Sequence, residues 1–345
     1  MASSNRVFYA VHGIGFKEDG AEGAIPTGNE VHGVQSIGLN TSFNLEQIFE
    51  LGQIEIYENY ENKPEIELTV EKVIDDTPLV YHLTTENAAA NGLSSRTVEK
   101  TTAVIPIYPD SYESCSGVAP KYVTCSGLYI SSLDYSIPVD GPATESVSLV
   151  GSDKIWADNS GVFDYSFIND DEPGTAGIQR REDIIMGSGA DASLWPTELP
   201  GITASGWNLE NAGGTSYSAH IQSVSISANL GREDLFELGR KNEYYKFVNF
   251  PIEVSTSIEM TETTDGDNID ADSNSDNLTD QVIMISLNDN TRFYMGAKNK
   301  LQSVSRSGGD SSGGNSTISY QYVGYNTLTI TNPDNDPAAL AHPSL

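Results

Sequence analysis

The chain is poor in positive charge. Its 345 residues carry 18 Lys and Arg against 49 Asp and Glu, a formal charge of −31. A nucleic-acid grip needs a basic footprint, and so does an anionic membrane surface, so the composition argues against both. Cysteine is scarce as well. Cys115 and Cys125, in CSGVAPKYVTC, have neither the spacing of a zinc site nor that of a redox pair. Two buried thiols are expected ahead of a disulfide across a short hairpin. The five histidines, His12, His32, His82, His220 and His342, form no HxH, HExxH or His–Cys cluster. GxSxG elbows, P-loops and GxGxxG turns before a helix are missing too. The chain is therefore expected to be no enzyme, with no catalytic residue, no cofactor and no metal site.

Long apolar runs are also lacking. No stretch approaches the ~18 residues of a membrane span. The opening MASSNRVFYAVHGIG has no basic start and no long apolar core, so it is not expected to act as a secretion signal. Three sequons begin at Asn40, Asn277 and Asn315 and are expected to be chance. The acidic run TETTDGDNIDADSNSDNLTD, 261–280, echoes a calcium loop from Asp270. It has Ser275 where the turn glycine belongs and Gln281 where a bidentate Glu belongs, so a solvated loop is expected. Long periodic helical stretches are absent, while Gly, Ser, Thr, Asn and Tyr are plentiful, which points to a mainly β chain.

What is present is a repeated phrase. IFELG, 48–52, returns as LFELG, 235–239. Setting Gln35–Pro64 against Gln222–Pro251 at an offset of 187 leaves ten of thirty positions identical, where ordinary usage gives about two. The match reads as an internal duplication. In each copy an alternating strand leads, VQSIGLNTSF in the first, with Ile37, Leu39 and Thr41 on the drier face. A short helix is expected next. Asn44 would cap it, Phe43 would staple onto Ile48, Phe49 would pack, and Gly52 would stop it. The second copy offers Leu230, Leu235, Phe236 and Gly239 for the same tasks.

A hairpin is then expected about Asn62-Lys63-Pro64. Ile66, Leu68 and Val70 would point inward, and Glu65, Glu67 and Glu71 into solvent. Each half closes on another hairpin-like pair, GLYISSLDYSI with ATESVSLVG and NKLQSVSRSGG with NSTISYQYVGYNTLTI. The expected organisation is a first domain over 1–155 including a lead-in, an inserted loop and linker over 156–216, a second domain over 217–332 and an arm over 333–345. Insertions of this kind tend to carry projections and contacts.

The stretches GVQSIGLNTSFNLEQIFELGQIEIYENYENKPEIELTVEKV, CSGLYISSLDYSIPVDGPATESVSLVG, ISANLGREDLFELGRKNEYYKFVNFPIEVSTSIEM and SRSGGDSSGGNSTISYQY resemble structural proteins of tailed bacteriophages. They are most similar to major tail tube proteins with a duplicated tube domain in one chain. The resemblance covers both repeats but not the lead-in, the insert or the tail. It implies two tandem tail-tube-like β-sandwich or barrel domains, each with a short flanking helix. It also implies that six such domains form a ring, that rings stack into the tube through which DNA leaves, and that a two-domain chain makes a trimeric, pseudo-sixfold ring. The partners implied are copies of the chain itself, other tail proteins and transiently passing double-stranded DNA, with no membrane. The location implied is the virion tail, assembled in the host cytoplasm. Glu65, Glu67 and Glu71 are the candidates for an acidic lumen wall. A sheath, neck or baseplate hub role is the alternative, and a calcium- or glycan-binding β-protein a more distant one.

Overall fold

A computed structural model describes residues 6–7, 12–18, 31–75, 78–79, 93, 100–110, 117–158, 166–167, 177–185, 193–196, 199, 220–241, 243–262, 278–308 and 314–332. The fold is mainly β, as the composition suggests. In the first half run β1 (Gly15–Glu18), β2 (Val34–Ser42), β3 (Leu45–Phe49), β4 (Ile56–Glu61), β5 (Glu65–Val73), β6 (Thr101–Ile107), β7 (Gly117–Val118), β8 (Lys121–Pro138), β9 (Thr144–Gly151), β10 (Asp153–Asp158) and β11 (Ser166–Phe167). The second half holds β12 (His220–Asn229), β13 (Arg232–Leu235), β14 (Tyr245–Val248), β15 (Glu253–Thr261), β16 (Met284–Ser286), β17 (Arg292–Tyr294), β18 (Lys300–Ser307), β19 (Thr317–Tyr325) and β20 (Thr329–Thr331).

One sheet runs β2-β5-β9-β8-β12-β15-β19-β18, antiparallel throughout. It is two four-stranded units in series. The first is β2-β5-β9-β8, and the second is β12-β15-β19-β18. The registers correspond. Ile37 faces Val70 in one unit and Val224 faces Ile258 in the other. Bulges fall between Val34 and Ser36 and between Ile221 and Ser223, then between Ile130 and Ser132 and between Leu301 and Ser303. The alternation in β5 is as expected: Ile66, Leu68 and Val70 are buried, and Glu65, Glu67 and Glu71 face solvent.

β8 links two layers. Its first part pairs with β6 and β10, its second with β9 and β12. Gly127 stands at the changeover with φ +65°, which L side chains rarely adopt. In the second half β16, β17 and β20 form a separate three-stranded sheet. The apolar core runs through both halves, from Leu68 and Leu149 to Ile258 and Tyr320. Tyr135 of β8 meets Phe293 of β17 with ring centroids 4.7 Å apart. The expected 156–216 linker is in part core-forming. Leu194 bridges to Met284, Ile184 bridges to Leu287, and Gln179, Trp195 and Leu199 are buried.

The expected helices are not formed. From Leu45 to Glu61 the chain makes a two-stranded arm, β3 with β4, and from Arg232 to Val248 a second arm, β13 with β14. Asn44 and Gly231, at φ +44° and +47°, begin the arms rather than cap a helix, and Gly52 and Gly239, at +102° and +92°, lie in their turns. Phe43 does not staple onto Ile48, since it is 64% exposed. A helix of eight residues is marginal alone, and IEIYENYE offers β-prone residues for Leu45–Phe49 to pair with. The hairpin about Asn62-Lys63-Pro64 is also corrected. β4 turns back on β3, and β5 returns to β2.

Candidate functional site

The solvent side of the eight-stranded sheet is dominated by small hydroxyls. Thr69 reaches Ser148 at 3.3 Å, Ser257 reaches Ser319 at 3.2 Å, and Ser307 reaches Thr317 at 2.9 Å across neighbouring strands. Such cross-strand pairs hold the face flat and leave few long side chains standing from it. Acids complete it: Glu65, Glu67 and Glu71 on β5, Glu253 and Glu259 on β15, and Asp134 on β8. Glu71 accepts from Ser36 at 3.1 Å, and Glu259 accepts from Ser223 at 3.4 Å, the same contact in both units. Among the described positions of these eight strands, Lys300 at the rim is the one lysine or arginine on that side. Carboxylates on such a face act on an approaching charge over about 8 Å in physiological salt.

The units meet edge to edge. Asn229 faces Ser132, Ile226 faces Tyr135 and Val224 faces Ile137 in the β12–β8 pairing. Leu230 donates its N–H to the Ser131 carbonyl at 2.9 Å and is buried. The second arm then lies on the first unit. Arg232 donates Nε–H to the Ile130 carbonyl at 2.8 Å, and its guanidinium sits 4.7 Å from the Tyr129 ring centroid. Burial pulls the Arg232 pKa down to about 10, against the opposing pull of Tyr129 and Tyr245. Tyr129 and Tyr245 meet edge to face at 5.9 Å.

Four charges lock the same contact. Lys63 lies 2.8 Å from Asp234 and 2.5 Å from Glu243, and Lys246 lies 2.5 Å from Asp234. Burial would lower the Lys63 pKa, but its bonds to Asp234 and Glu243 carry it above the usual lysine value. Asp234 is held below the carboxylate range: burial raises it, and the two lysines more than reverse that. Sequence reasoning missed this cluster because Lys63 lies 171 residues from Asp234 and no local spacing ties it to the other three.

Among the described residues two edges have no strand beside them, β2 at one end and β18 at the other. The first arm is as unaccompanied as the second is packed. Every residue of β3 and β4 is exposed. Phe43, Leu45, Phe49, Ile54 and Ile56 are 64%, 63%, 62%, 98% and 43% exposed. These apolar side chains are interleaved with the exposed Glu46, Glu50, Glu55, Glu58 and Glu61. The expected packing residues thus divide. Leu230 is buried in the joint and Leu235 partly so, while Phe43, Ile48, Phe49 and Phe236 stand in solvent, and Gly52 and Gly239 shape turns.

A second buried polar group sits under the first unit. Lys72 pairs with Asp75 at 2.7 Å and lies 4.0 Å from Glu145, which accepts the Leu79 N–H at 2.6 Å. Burial pushes the Glu145 carboxyl up to about 7, Asp75 and Asp289 add to the rise, and Lys72 and the Leu79 N–H oppose it. Cys125 is a buried free thiol whose pKa burial raises to about 11, so it is inert. Cys115 and residues 263–277 of the acidic run lie outside the described residues. Among the described residues no cluster of three His, Cys, Asp or Glu is placed to hold a metal ion, and no helix is long and apolar enough to cross a membrane.

No protein-family model matches the chain, and no curated protein matches it. Among solved structures, a chain in the six-fold symmetrised cryo-EM structure of the anti-feeding prophage baseplate is similar to this one. The TM-score is 0.33 at 13% identity, over 46% of this chain and 99% of that one. A likeness of that degree assigns neither family nor role.

Proposed function

We propose that the chain is a structural protomer of a bacteriophage tail tube, acting by assembly and not by catalysis. The observation that carries this reading is the sheet itself: two matching four-stranded units already joined edge to edge, with one edge of each kind left open among the described residues. Internal duplication is the simplest origin of such a pair. Open edges invite further strands, and a head-to-tail joint closes into a ring when its rotation allows. Three chains supply six units and close the sheet into one barrel with no edge left. The hydroxyl and carboxylate face, with Glu65, Glu67 and Glu71, lines the lumen. Three copies bring 3 × −31 = −93 formal charges, and the lumen-facing ones keep passing DNA from adhering. The partners are then the chain's own copies, stacked rings and other tail proteins, in the virion.

Negative-stain microscopy of the purified chain tests the reading. Rings with three-fold symmetry, six similar lobes and an open centre are expected, stacking into tubes at high concentration. Persistent monomers at high concentration overturn it. Closed rings that never stack place the chain in another part of the tail.

A further inference from the structure

We infer that the open β2 edge and the first arm receive β18 of a second copy in the register of the internal β12–β8 joint, but with uncharged residues at the four positions of the charge lock. The inference rests on the ring reading and gives it residues.

The register follows by transposition. β12 corresponds to β2 at an offset of 187, and β8 corresponds to β18 at an offset of 171, fixed by the matching bulges. The internal pairs Asn229–Ser132, Ser227–Asp134 and Ile226–Tyr135 become Ser42–Ser303, Asn40–Ser305 and Leu39–Arg306 between copies. The bond from Leu230 N–H to the Ser131 carbonyl becomes one from Phe43 N–H to the carbonyl of Gln302 in the second copy. Leu230 is 1% exposed, and Phe43, in the matching place, is 64% exposed. That difference is what a missing neighbour leaves behind.

The contact chemistry changes in concert. The internal lock uses Lys63, Asp234, Glu243 and Lys246. Their counterparts are Phe250, Gln47, Ile56 and Asn59, all four uncharged. Phe250 and Ile56 are 55% and 43% exposed. Lys63 lies 5.7 Å over the Phe236 ring, and the counterpart contact sets Phe250 against Phe49. Arg232, stacked on Tyr129, is replaced by Leu45 facing Lys300 and Leu301. The four positions that carry paired charges at the internal joint are all uncharged at the open one, which fits a joint made without that ion-pair network, and a second copy of this chain is the occupant that carries both sides.

Cysteine pairs read the register. Asn40→Cys with Ser305→Cys is expected to close SDS-resistant trimers under mild oxidation. Asn40→Cys with Ser303→Cys or with Ser307→Cys is expected to do so about tenfold more slowly, because strained geometry disfavours the bond. A charge exchange reads the chemistry. Phe250→Lys alone is expected to raise the concentration needed for rings by about tenfold. Phe250→Lys with Ile56→Glu restores assembly and makes it sensitive to 0.5 M against 0.05 M NaCl, about the range over which screening acts. Unchanged melting of the unassembled chain confirms that each variant folds. Rings that form while a shifted pair links fastest, or while Phe250→Lys assembles like the wild type, overturn this joint and leave the ring reading standing. A wild-type chain that never forms rings overturns both.

Discussion

The two arms begin on residues of the same left-handed geometry and turn through glycines of the same φ sign, yet one is packed and the other bare. β13 and β14 are half buried on the first unit; β3 and β4 are wholly exposed. The packed arm carries paired charges where it touches, and the bare arm has uncharged residues at the same four positions. Equivalent backbone positions thus carry different chemistry in the two arms. The comparison is broken first at its root. Leu230→Asp buries an unpaired carboxylate, and a loss of about 4 kcal/mol in urea unfolding is expected. Phe43→Asp, at the corresponding exposed place, is expected to change stability by under about 0.5 kcal/mol while stopping ring formation. Equal losses from the two would mean that the arms are not counterparts.

The cores differ in the same way. Lys72 and Glu145 face each other across β5 and β9, and their counterparts across β15 and β19 are Met260 and Ile318, both buried. Lys72→Met strands Glu145 and Asp75, and a cost of about 3 kcal/mol is expected. Adding Glu145→Ile installs the second unit's pair and should recover a good part of it, although the Leu79 N–H and Asp75 then lack their partner. Calorimetry of the single and double variants measures the recovery. A double variant less stable than the single would show that the two cores are not interchangeable.

Glu145 also supplies a pH signature that the second unit lacks. Its folded pKa of about 7 stands above the unfolded value of about 4.3. The folded state thus holds a proton that the unfolded state releases. The contribution to stability is complete below the unfolded pKa and is lost as pH rises through the folded one. Stability should fall between about pH 4.3 and 7, by at most ~4 kcal/mol. Glu145→Gln is expected to flatten that stretch of the profile. A variant with the wild-type slope would place the titration elsewhere.

These contrasts explain what the sequence made legible. Alternation in β2 and β5 was readable because one face is apolar and the other is not, and Ile66, Leu68 and Val70 against Glu65, Glu67 and Glu71 leave one register possible. The repeat was readable because identity at a constant offset needs no structure. The arms misled for a physical reason. FNLEQIFELG satisfies the capping, stapling and stop rules of a helix, and IEIYENYE decides the matter by offering a pairing partner immediately after it. The Lys63–Asp234–Glu243–Lys246 lock, the Lys72–Glu145 pair and the open edges depend on contacts made far along the chain, where local spacing says nothing.

The smallest expected effect on stability belongs to the phrase the two halves share. Leu51 and Leu238, at the arm turns, are fully exposed, and Phe49 and Phe236 are 62% and 59% exposed. The shared glutamates are accounted for by their turns, Glu50 accepting from Gln53 at 2.5 Å and Glu237 pairing with Arg240 at 2.9 Å. The glycines are accounted for by positive φ. Among the described residues the leucines have nothing packed over them that would hold them fixed. Residues at the joints have diverged between halves, since each joint has its own neighbour. On the proposed ring reading, residues kept alike and bare in both halves suit a neighbour that meets all six arms alike, which is the next ring. Leu51→Ser with Leu238→Ser is therefore expected to shift unfolding by under about 0.5 kcal/mol and to leave rings intact, while tubes seen by microscopy shorten to single rings. Tubes of unchanged length would mean that the tips serve some other contact.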